Sequence, residues 1–130
     1  MSASLYFVGF VLRLFGVRKT AALLQFFTRT RPKPPNPNEV VDSVERQLQS
    51  IIPNEPFVFN RCLTNALTLC WYLASAGLEC KVVIGVRTKT GFGAHAWAEY
   101  KGRPLLDGQE VLDYYSPIHF YSFGSQVSLS

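Results

Sequence analysis

The sequence has few charged residues, and this shortage already excludes some classes of protein. Charged side chains make up 17% of the 130 residues, whereas hydrophobic side chains make up 48%. This balance is richer in apolar residues than an average soluble domain, and it excludes intrinsic disorder for the chain as a whole. A chain of this length buries about two-thirds of the surface that its unfolded form exposes, so one hydrophobic core needs neither disulfides nor a structural metal.

Cysteine is also scarce. Three cysteines are an odd number, which cannot complete a disulfide framework, and no C-x-x-C pair or His-rich tract supplies the spacing of zinc ligands. The sequence therefore predicts a reducing, cytoplasmic location, no metal site and no cofactor.

Long hydrophobic runs are missing as well. Residues 5–17 are apolar except for Arg13, but a membrane-spanning helix needs about 20 such residues. No basic residue precedes this run and no small-x-small cleavage site follows it, which argues against a secretory signal. We expect the segment to be retained in the protein.

Acidic residues are absent from residues 1–33, which contain six basic residues: Arg13, Arg18, Lys19, Arg29, Arg31 and Lys33. The rest of the chain carries seven basic and nine acidic residues. A nucleic-acid-binding domain spreads its Lys and Arg over the fold, so we expect no nucleic-acid partner. This local excess of basic residues favours a solvated helix face. The alternative is an anionic partner or a peripheral membrane contact through residues 1–30.

The chain divides into four parts. Residues 1–30 have apolar residues at helical spacing on both sides of Gly16, with Leu5, Val8, Leu12 and Phe15 before it and Ala22, Leu23, Phe26 and Phe27 after it, which predicts two short helices. Residues 31–38 contain four prolines and form an extended spacer. Residues 39–121 form the core, and residues 122–130 are predicted to be a frayed tail.

Within the core, a first helix follows from the apolar residues Val40, Val41, Val44, Leu48, Ile51 and Ile52, with Asn38 as its N-cap and Pro53 at its end. A second helix over residues 61–76 has a core-facing apolar stripe. Asn60 can cap its start, and Gly77 can supply the left-handed residue after its end.

Three strands are predicted after this helix. The first two are Cys80 to Arg87 and Phe92 to Glu99, joined by a Thr-Lys-Thr-Gly turn, and a third runs from Pro104 to Asp107. Helices followed by antiparallel strands indicate an α+β fold, with the helices packed on one face of a small antiparallel sheet.

Cys62 has the most reactive predicted position of the three cysteines. It lies in the first turn of its helix, where backbone amides and the helix dipole favour a nucleophilic thiolate. Cys70 and Cys80 fall at apolar positions, where buried structural thiols are the simpler interpretation, and burial is a rival interpretation for Cys62 as well.

His95 lies in the second strand. Alternation places it on the same face as Trp97 and Glu99, and the small residues in Gly93-Ala94-His95-Ala96 leave room for another element to approach the imidazole. A single histidine in a strand is more often structural than catalytic, so the position of Asp107 matters.

Two loops can join the second strand to the third, and they differ in where they place Asp107. A two-residue loop of Lys101 and Gly102 requires positive φ at Lys101 and points Asp107 away from His95. A three-residue loop over residues 100–102 requires positive φ at Gly102 alone and places Asp107 opposite His95, with Cβ atoms about 5 Å apart. Because glycine adopts positive φ at little cost, we predict the three-residue loop.

This register produces a Cys-His-Asp set. Cys62 attacks an acyl carbon, His95 transfers the proton, and Asp107 orients the imidazole. The Cys62 amide is one candidate oxyanion donor, and the second is not determined among Asn60, Asn65 and the Trp97 indole. A metal site made from the Cys-His-Asp set is the weaker interpretation, because no fourth ligand is evident.

Four short stretches carry a family pattern: Arg61-Cys62-Leu63, Ile84-Gly85-Val86-Arg87, Ala94-His95-Ala96-Trp97-Ala98-Glu99, and Asp107. Through these stretches, residues 39–121 resemble the transglutaminase-like core of lasso peptide leader peptidases. These are cysteine proteases that remove the leader from a ribosomally made lasso precursor peptide. The resemblance implies a papain-like core with Cys62 as nucleophile, His95 as base and Asp107 as orienter.

The resemblance also implies partners. Some members carry a fused leader-recognition domain, for which 130 residues leave no room, so the chain resembles the split form. That form relies on a separate leader-recognition protein to deliver the precursor, and on a lasso cyclase that uses ATP to close the freed core peptide. Residues 1–30 then either dock a partner or pack on their own core.

Two other functions remain open. An acyltransferase would pass the thioester to an amine instead of to water. An inactive scaffold would bind peptides without cleaving them, through Trp97, Tyr114, Tyr115 and the aromatic residues that follow. We also expect substrate contacts at Trp97 and Asn60 in the peptidase interpretation.

Overall fold

The computed structural model describes residues 2–27, 34–51, 61–87, 91, 93–106 and 111–124. In chain order they form α1 (Ser2–Phe27), α2 (Pro37–Ile51), α3 (Arg61–Ser75), β1 (Cys80–Arg87), β2 (Gly93–Tyr100), β3 (Arg103–Leu105), α4 (Val111–Tyr114) and β4 (Ser116–Phe123). The predicted α+β architecture is confirmed, since three helices cover one face of an antiparallel sheet.

The α1 segment is two helices joined at a kink, as the spacing predicts. Gly16 separates them with a non-helical backbone (φ 81°, ψ 169°). The first half buries Leu5, Val8 and Leu12 as predicted. The prediction is wrong where the helices end. Phe15 is exposed, and the second half buries Ala21 and Leu24, whereas the predicted Ala22 and Phe26 are exposed and Leu23 is half-buried. The side chain of Phe27 lies outside the described residues. Thr20 is buried beside Ala21 because its hydroxyl donates to the Gly16 carbonyl, so a polar and a small residue take core positions that a pattern of large apolar residues does not show.

The α2 helix begins one residue before the predicted cap. Pro37 is its first residue, and the Asn36 carbonyl accepts a 3.2 Å hydrogen bond from the Val40 amide. Proline suits a first helical position because it has no amide proton to leave without a partner. Val41 and Leu48 are buried against the core, as the periodicity predicts. The predicted stop at Pro53 lies outside the described residues.

The α3 helix and its C-terminal cap match the prediction. Gly77 has φ 92°, and its amide donates to the Ala74 carbonyl, while the Leu78 amide donates to the Leu73 carbonyl. These two bonds form a Schellman motif, which satisfies carbonyls that the end of a helix leaves without partners. The chain therefore leaves α3 sharply and enters β1 at Cys80.

The sheet has the strand order β3-β2-β1-β4, and every pair is antiparallel. Successive residues of a strand point to opposite faces. Val82 and Ala96 pack into the core that α1, α2 and α3 share, and we call this side the helix face. Val83 and Trp97 pack with Val111 on the opposite side, which we call the outer face.

The loop between β2 and β3 has two residues, so the predicted three-residue loop is wrong. Ala98 pairs with Leu105 and Tyr100 pairs with Arg103. Lys101 (φ 49°) and Gly102 (φ 80°) both have positive φ, which is the backbone of a type I′ hairpin turn.

Burial of Leu105 explains this register. Leu105 is fully buried on the helix face, and a one-residue shift would turn it to the outer face. Full burial of a leucine contributes about 1.5–3 kcal/mol. That gain exceeds or matches the cost of about 1–2 kcal/mol for a non-glycine residue in the left-handed region. Burial of the Leu105 side chain therefore outweighs the preference of Lys101 for negative φ, which was the basis of the predicted three-residue loop.

Two elements were not predicted from the sequence. The single turn α4 and the strand β4 follow the described part of the β3 segment, and β4 pairs with β1 over its whole length with a register shift at Ile84/Gly85. The predicted frayed tail beginning at residue 122 is also incorrect at its start, because Ser122 and the buried Phe123 belong to β4. Residues 125–130 lie outside the described residues.

None of the helices in the described ranges combines the length and apolar character that crossing a membrane requires.

Candidate active site

Cys62 is the second residue of α3, in the first helical turn, as predicted. Its side chain is half-buried and packs against the helix-face core. Amides in the first turn of a helix point toward its N-terminal end, where they and the helix dipole stabilise negative charge. The position is therefore suited to stabilising a developing oxyanion.

His95 is in β2, and its ring belongs to an aromatic cluster. The centroid of its imidazole is 5.9 Å from the Trp97 ring in a stacked arrangement (29° between planes). The Tyr115 ring, between α4 and β4, lies 5.3 Å away at 39°. Two large rings thus restrict the imidazole, which stays half-buried rather than enclosed. Such restriction keeps a proton-transferring group in one orientation.

Trp97 is itself held in place. It is 1% exposed, and its indole N–H donates a 3.3 Å hydrogen bond to Glu99 Oε2. An indole has one donor, so this bond occupies the Trp97 group that is a candidate second oxyanion donor. Direct contact of the Trp97 ring with a substrate would need this buried surface to open. Asn65, another candidate donor, is half-buried in α3, and Asn60 lies outside the described residues.

Gly85 makes space for the aromatic cluster. It lies directly opposite His95 in the β1–β2 ladder. A Cβ at this position would lie 2.9 Å from Trp97 Cη2 and 3.1 Å from Tyr115 Cβ. Real Cβ atoms do not approach other carbons so closely, so only glycine lets the Trp97 ring lie across β1.

Arg87 borders the same cluster. Its guanidinium carbon is 5.7 Å from the centre of the Tyr115 ring, and its Nε donates to the Gly91 carbonyl at 3.3 Å. A cation over an aromatic face is attracted to the ring quadrupole. The arginine therefore supports the position of Tyr115, which in turn contacts His95.

Asp107 lies outside the described residues. The hairpin register that predicted it opposite His95 is wrong, and β3 ends at Leu105. Leu106 has φ 69°, which interrupts the alternation of faces along the strand. The ladder therefore gives no position for Asp107, and its assignment as orienter stays a prediction that rests on the resemblance.

A side chain of α2 holds the chain at Leu106, just before Asp107. The Leu106 amide donates a 2.6 Å hydrogen bond to Glu45 Oε2. The other oxygen of that carboxylate lies 3.8 Å from the Arg103 guanidinium. These contacts hold the end of β3 against a helix that precedes the site in the chain.

The structure places the two described candidates on packed elements. α3 packs on the helix face of β2, where Cys62 contacts the core, whereas the His95 ring stacks with Trp97 of the outer face. Cys70 and Cys80 lie deeper, with their sulfurs 2.6 Å apart. Burial, followed by the contact with Cys80, raises the pKa of the Cys70 thiol well above its ordinary value. Cys70 is therefore a structural thiol, as predicted.

A groove of about 510 Å³ lies on the outer face of the sheet. It borders the Trp97–Glu99 hydrogen bond and is lined by Lys81, Val83, Glu99, Pro117, Ile118, His119 and Phe120. Within the described ranges, no group of three or more His, Cys, Asp and Glu side chains is arranged to hold a metal ion.

Sequence reasoning missed several supporting residues. The bond between Trp97 and Glu99 follows from their i, i+2 spacing on one strand face, a signal that was available. The contact of Tyr115 with His95 and that of Glu45 with Leu106 depend on α4 and on the path of α2. No local pattern shows either of them.

A family model described as "Transglutaminase-like superfamily" matches residues 4–119. The match includes α1 as well as the sheet. No curated protein and no solved structure matches the chain significantly.

Proposed function

Because the chain belongs to the transglutaminase-like superfamily, we propose that it is a cysteine endopeptidase that acts through a thioester acyl-enzyme. Members of this superfamily are usually cysteine-dependent enzymes that act on acyl groups. The observation that carries the proposal is the position of Cys62 in the first turn of α3, a helix that packs on β2, the strand that contains His95.

The first half of the reaction forms the acyl-enzyme. The Cys62 thiolate attacks the carbonyl carbon of the scissile peptide bond, and the carbonyl electron pair moves to oxygen. The Cys62 backbone amide stabilises that oxyanion. As the tetrahedral species collapses, the C–N bond breaks and His95 gives its proton to the leaving amine. The products are a thioester on Cys62 and a peptide with a free amino terminus.

The second half releases the acyl group. His95, now neutral, takes a proton from water as the water oxygen attacks the thioester carbon. The C–S bond then breaks, which restores the Cys62 thiolate beside a protonated His95 and leaves a carboxylic acid on the released peptide, whose proton is lost to solvent. In this scheme Asp107 accepts a hydrogen bond from the imidazole and stabilises its charged form.

The proposed substrate is the precursor of a lasso peptide, cut between leader and core. The support is the resemblance of the Cys62, His95 and Asp107 stretches to leader peptidases. In this scheme a separate leader-recognition protein delivers the precursor, and a lasso cyclase takes the freed core peptide. We place the reaction in the cytoplasm, a reducing compartment, where buried thiols such as Cys70 and Cys80 persist without forming a disulfide.

Mass spectrometry of the precursor tests the proposal. The full chain is incubated with the precursor and the leader-recognition protein, and we expect one cleavage at the leader–core junction. Cys62→Ala should abolish cleavage, and His95→Ala should slow it by about a hundredfold or more, which is typical of a lost general base. His119→Ala is the matched control, because it removes the other histidine of the chain from an exposed strand.

Three outcomes would overturn the assignment. Full cleavage by Cys62→Ala would exclude the thioester mechanism. Conjugates formed with an added lysine-containing peptide, in place of hydrolysis, would make the protein an acyltransferase. Absence of both cleavage and conjugation with the complete set of partners would favour the peptide-binding scaffold.

A further inference from the structure

The outward side of the first half of α1 is apolar. Its large side chains are well exposed: Tyr6 at 41%, Phe7 at 44%, Phe10 at 62% and Leu14 at 58%. Their spacing places them on one stripe of the helix. Together with Arg13, which is exposed between Phe10 and Leu14 in the sequence, we call these residues the α1 outer face.

The opposite side of the same helix is also apolar. Leu5, Val8 and Leu12 are almost completely buried in the core that α3 shares. A helix at the surface of a soluble protein is normally polar on its outward side. Contiguous exposed apolar patches mark surfaces that another molecule covers. The α1 outer face is therefore a surface for an interaction, because packing on the protein's own core is already accounted for by the inner side.

The basic residues around the α1 outer face indicate which kind of molecule covers it. Arg13 is part of the α1 outer face, and Arg18 and Lys19 are exposed just after the kink at Gly16. The sequence has no acidic residue before Glu39. Aromatic and leucine side chains bordered by basic residues are the composition of helices that lie in the interface of anionic membranes. No helix in the described ranges is suited to cross the bilayer, so the fitting geometry is one parallel to the membrane plane.

We propose that the α1 outer face binds the surface of an anionic membrane. Phe10 and Leu14 insert among the lipids, and Arg13 faces the headgroup phosphates. The attachment is peripheral and does not depend on the peptidase chemistry. It would bring the active site of the same small domain close to the membrane surface.

Vesicle binding tests this proposal with the full chain. The probes are vesicles of equal parts phosphatidylglycerol and phosphatidylcholine, compared with pure phosphatidylcholine, at low and high salt. We expect binding to the anionic vesicles that weakens as salt screens the basic residues. Trp71, half-buried with its ring centroid 6.0 Å from that of Phe7, should shift its fluorescence to shorter wavelength on binding, while the buried Trp97 serves as a constant background.

The decisive variant is the double substitution Phe10→Ser and Leu14→Ser. We expect it to lower the vesicle partition coefficient by about tenfold or more, since it removes the two most exposed apolar groups of the face. The matched control is Ile118→Ser with Phe120→Ser, which are equally exposed at 62% and 55% but lie on β4. The control should bind vesicles like the wild type, and both doubles should keep the wild-type circular dichroism.

Three results would overturn the proposal. Wild-type protein that does not bind anionic vesicles at low salt excludes the membrane as the occupant. An equal loss of vesicle binding in the Ile118/Phe120 control shows that exposed apolar residues adsorb unspecifically. Undiminished binding by the Phe10/Leu14 double shows that the face does not touch lipid, and would assign it to a protein partner instead.

Discussion

The Leu106 amide donates a 2.6 Å hydrogen bond to the side chain of Glu45, which joins two residues that are 61 positions apart. Leu106 is where β3 has ended and the backbone turns to positive φ. The carboxylate thus fixes the chain one residue before Asp107, the predicted orienter of His95. A charged acceptor makes this bond about twice as strong as a neutral one.

Removal of the Glu45 carboxylate should therefore affect both stability and activity. Glu45→Ala leaves the Leu106 amide without this acceptor in a partly buried place, which costs about 1–3 kcal/mol. Urea unfolding measures that loss. If Asp107 orients His95, we also expect a lower kcat for precursor cleavage with little change in KM, because the effect acts on the catalytic group rather than on peptide binding.

Asp42→Asn provides the control for Glu45. Asp42 is another α2 carboxylate, 3.8 Å from the Arg103 guanidinium, but it is exposed, and exposed ion pairs contribute about 0–1 kcal/mol. We expect near wild-type stability and cleavage. A Glu45→Ala protein that behaves like Asp42→Asn would show that the hydrogen bond to Leu106 does not constrain the site.

Gly85 is the position where one methyl group should do most damage to the aromatic cluster. An alanine Cβ would lie 2.9 Å from the Trp97 ring and 3.1 Å from Tyr115 Cβ. Trp97 is fully buried and cannot move outward freely, so we expect Gly85→Ala to cost about 1–3 kcal/mol, as overpacking does. Near-ultraviolet circular dichroism should report the displaced indole, and cleavage should slow because His95 stacks on that ring.

Ala94→Ser is the comparison for Gly85→Ala. Ala94 is exposed and pairs with Val86, next to Gly85 in β1, so one added oxygen meets no buried ring. We expect unchanged stability and an unchanged aromatic spectrum. Wild-type stability of Gly85→Ala would mean that the cluster is looser than its packing indicates.

The three thiols should differ in their rates of alkylation. Cys62 is half-buried, whereas Cys70 and Cys80 are buried. A buried thiol reacts only through local opening of the structure. With iodoacetamide followed by peptide mass mapping, we expect Cys62 to be modified more than about tenfold faster than the other two. Cleavage activity should be lost at the same rate as Cys62 is modified. Equal labelling of all three thiols would contradict the assignment of Cys62 as the activated one.

Most of the helix-face architecture could be predicted from the sequence, because periodicity reports burial directly. The apolar stripe of α3 and the glycine cap at Gly77 are confirmed, and so is the break of α1 at Gly16. β1 has the predicted bounds Cys80–Arg87. In each case the local signal and the tertiary environment agree.

Other parts depend on tertiary contacts that no local pattern contains. The hairpin register follows from the burial of Leu105, which overrides the preference of Lys101 for negative φ. β4 contains Pro117 and mostly exposed side chains, so it lacks the alternation of a half-buried strand, and it exists because β1 offers it an edge. In the site, Cys62 lies in the first turn of a helix and His95 lies in the second strand, as predicted, whereas the ring contacts of His95 with Trp97 and Tyr115 were not predicted.

The pKa of Cys70 predicts a dependence of stability on alkaline pH. Burial raises the pKa of this thiol in the folded protein, whereas in the unfolded chain it ionises near its ordinary value of about 8.5. Above that pH the unfolded state loses a proton that the folded state keeps, so the free energy of unfolding falls as pH rises, by up to about 1.4 kcal/mol per pH unit.

Cys70→Ala should be less stable at neutral pH, because it leaves a cavity, but should lose stability less steeply between roughly pH 8 and pH 10. Val82→Ala, a buried substitution without a titrating group, should lower stability and keep the wild-type slope. Urea unfolding at a series of pH values measures the slopes, and equal slopes for Cys70→Ala and Val82→Ala would show that this thiol does not control the alkaline limit of the fold.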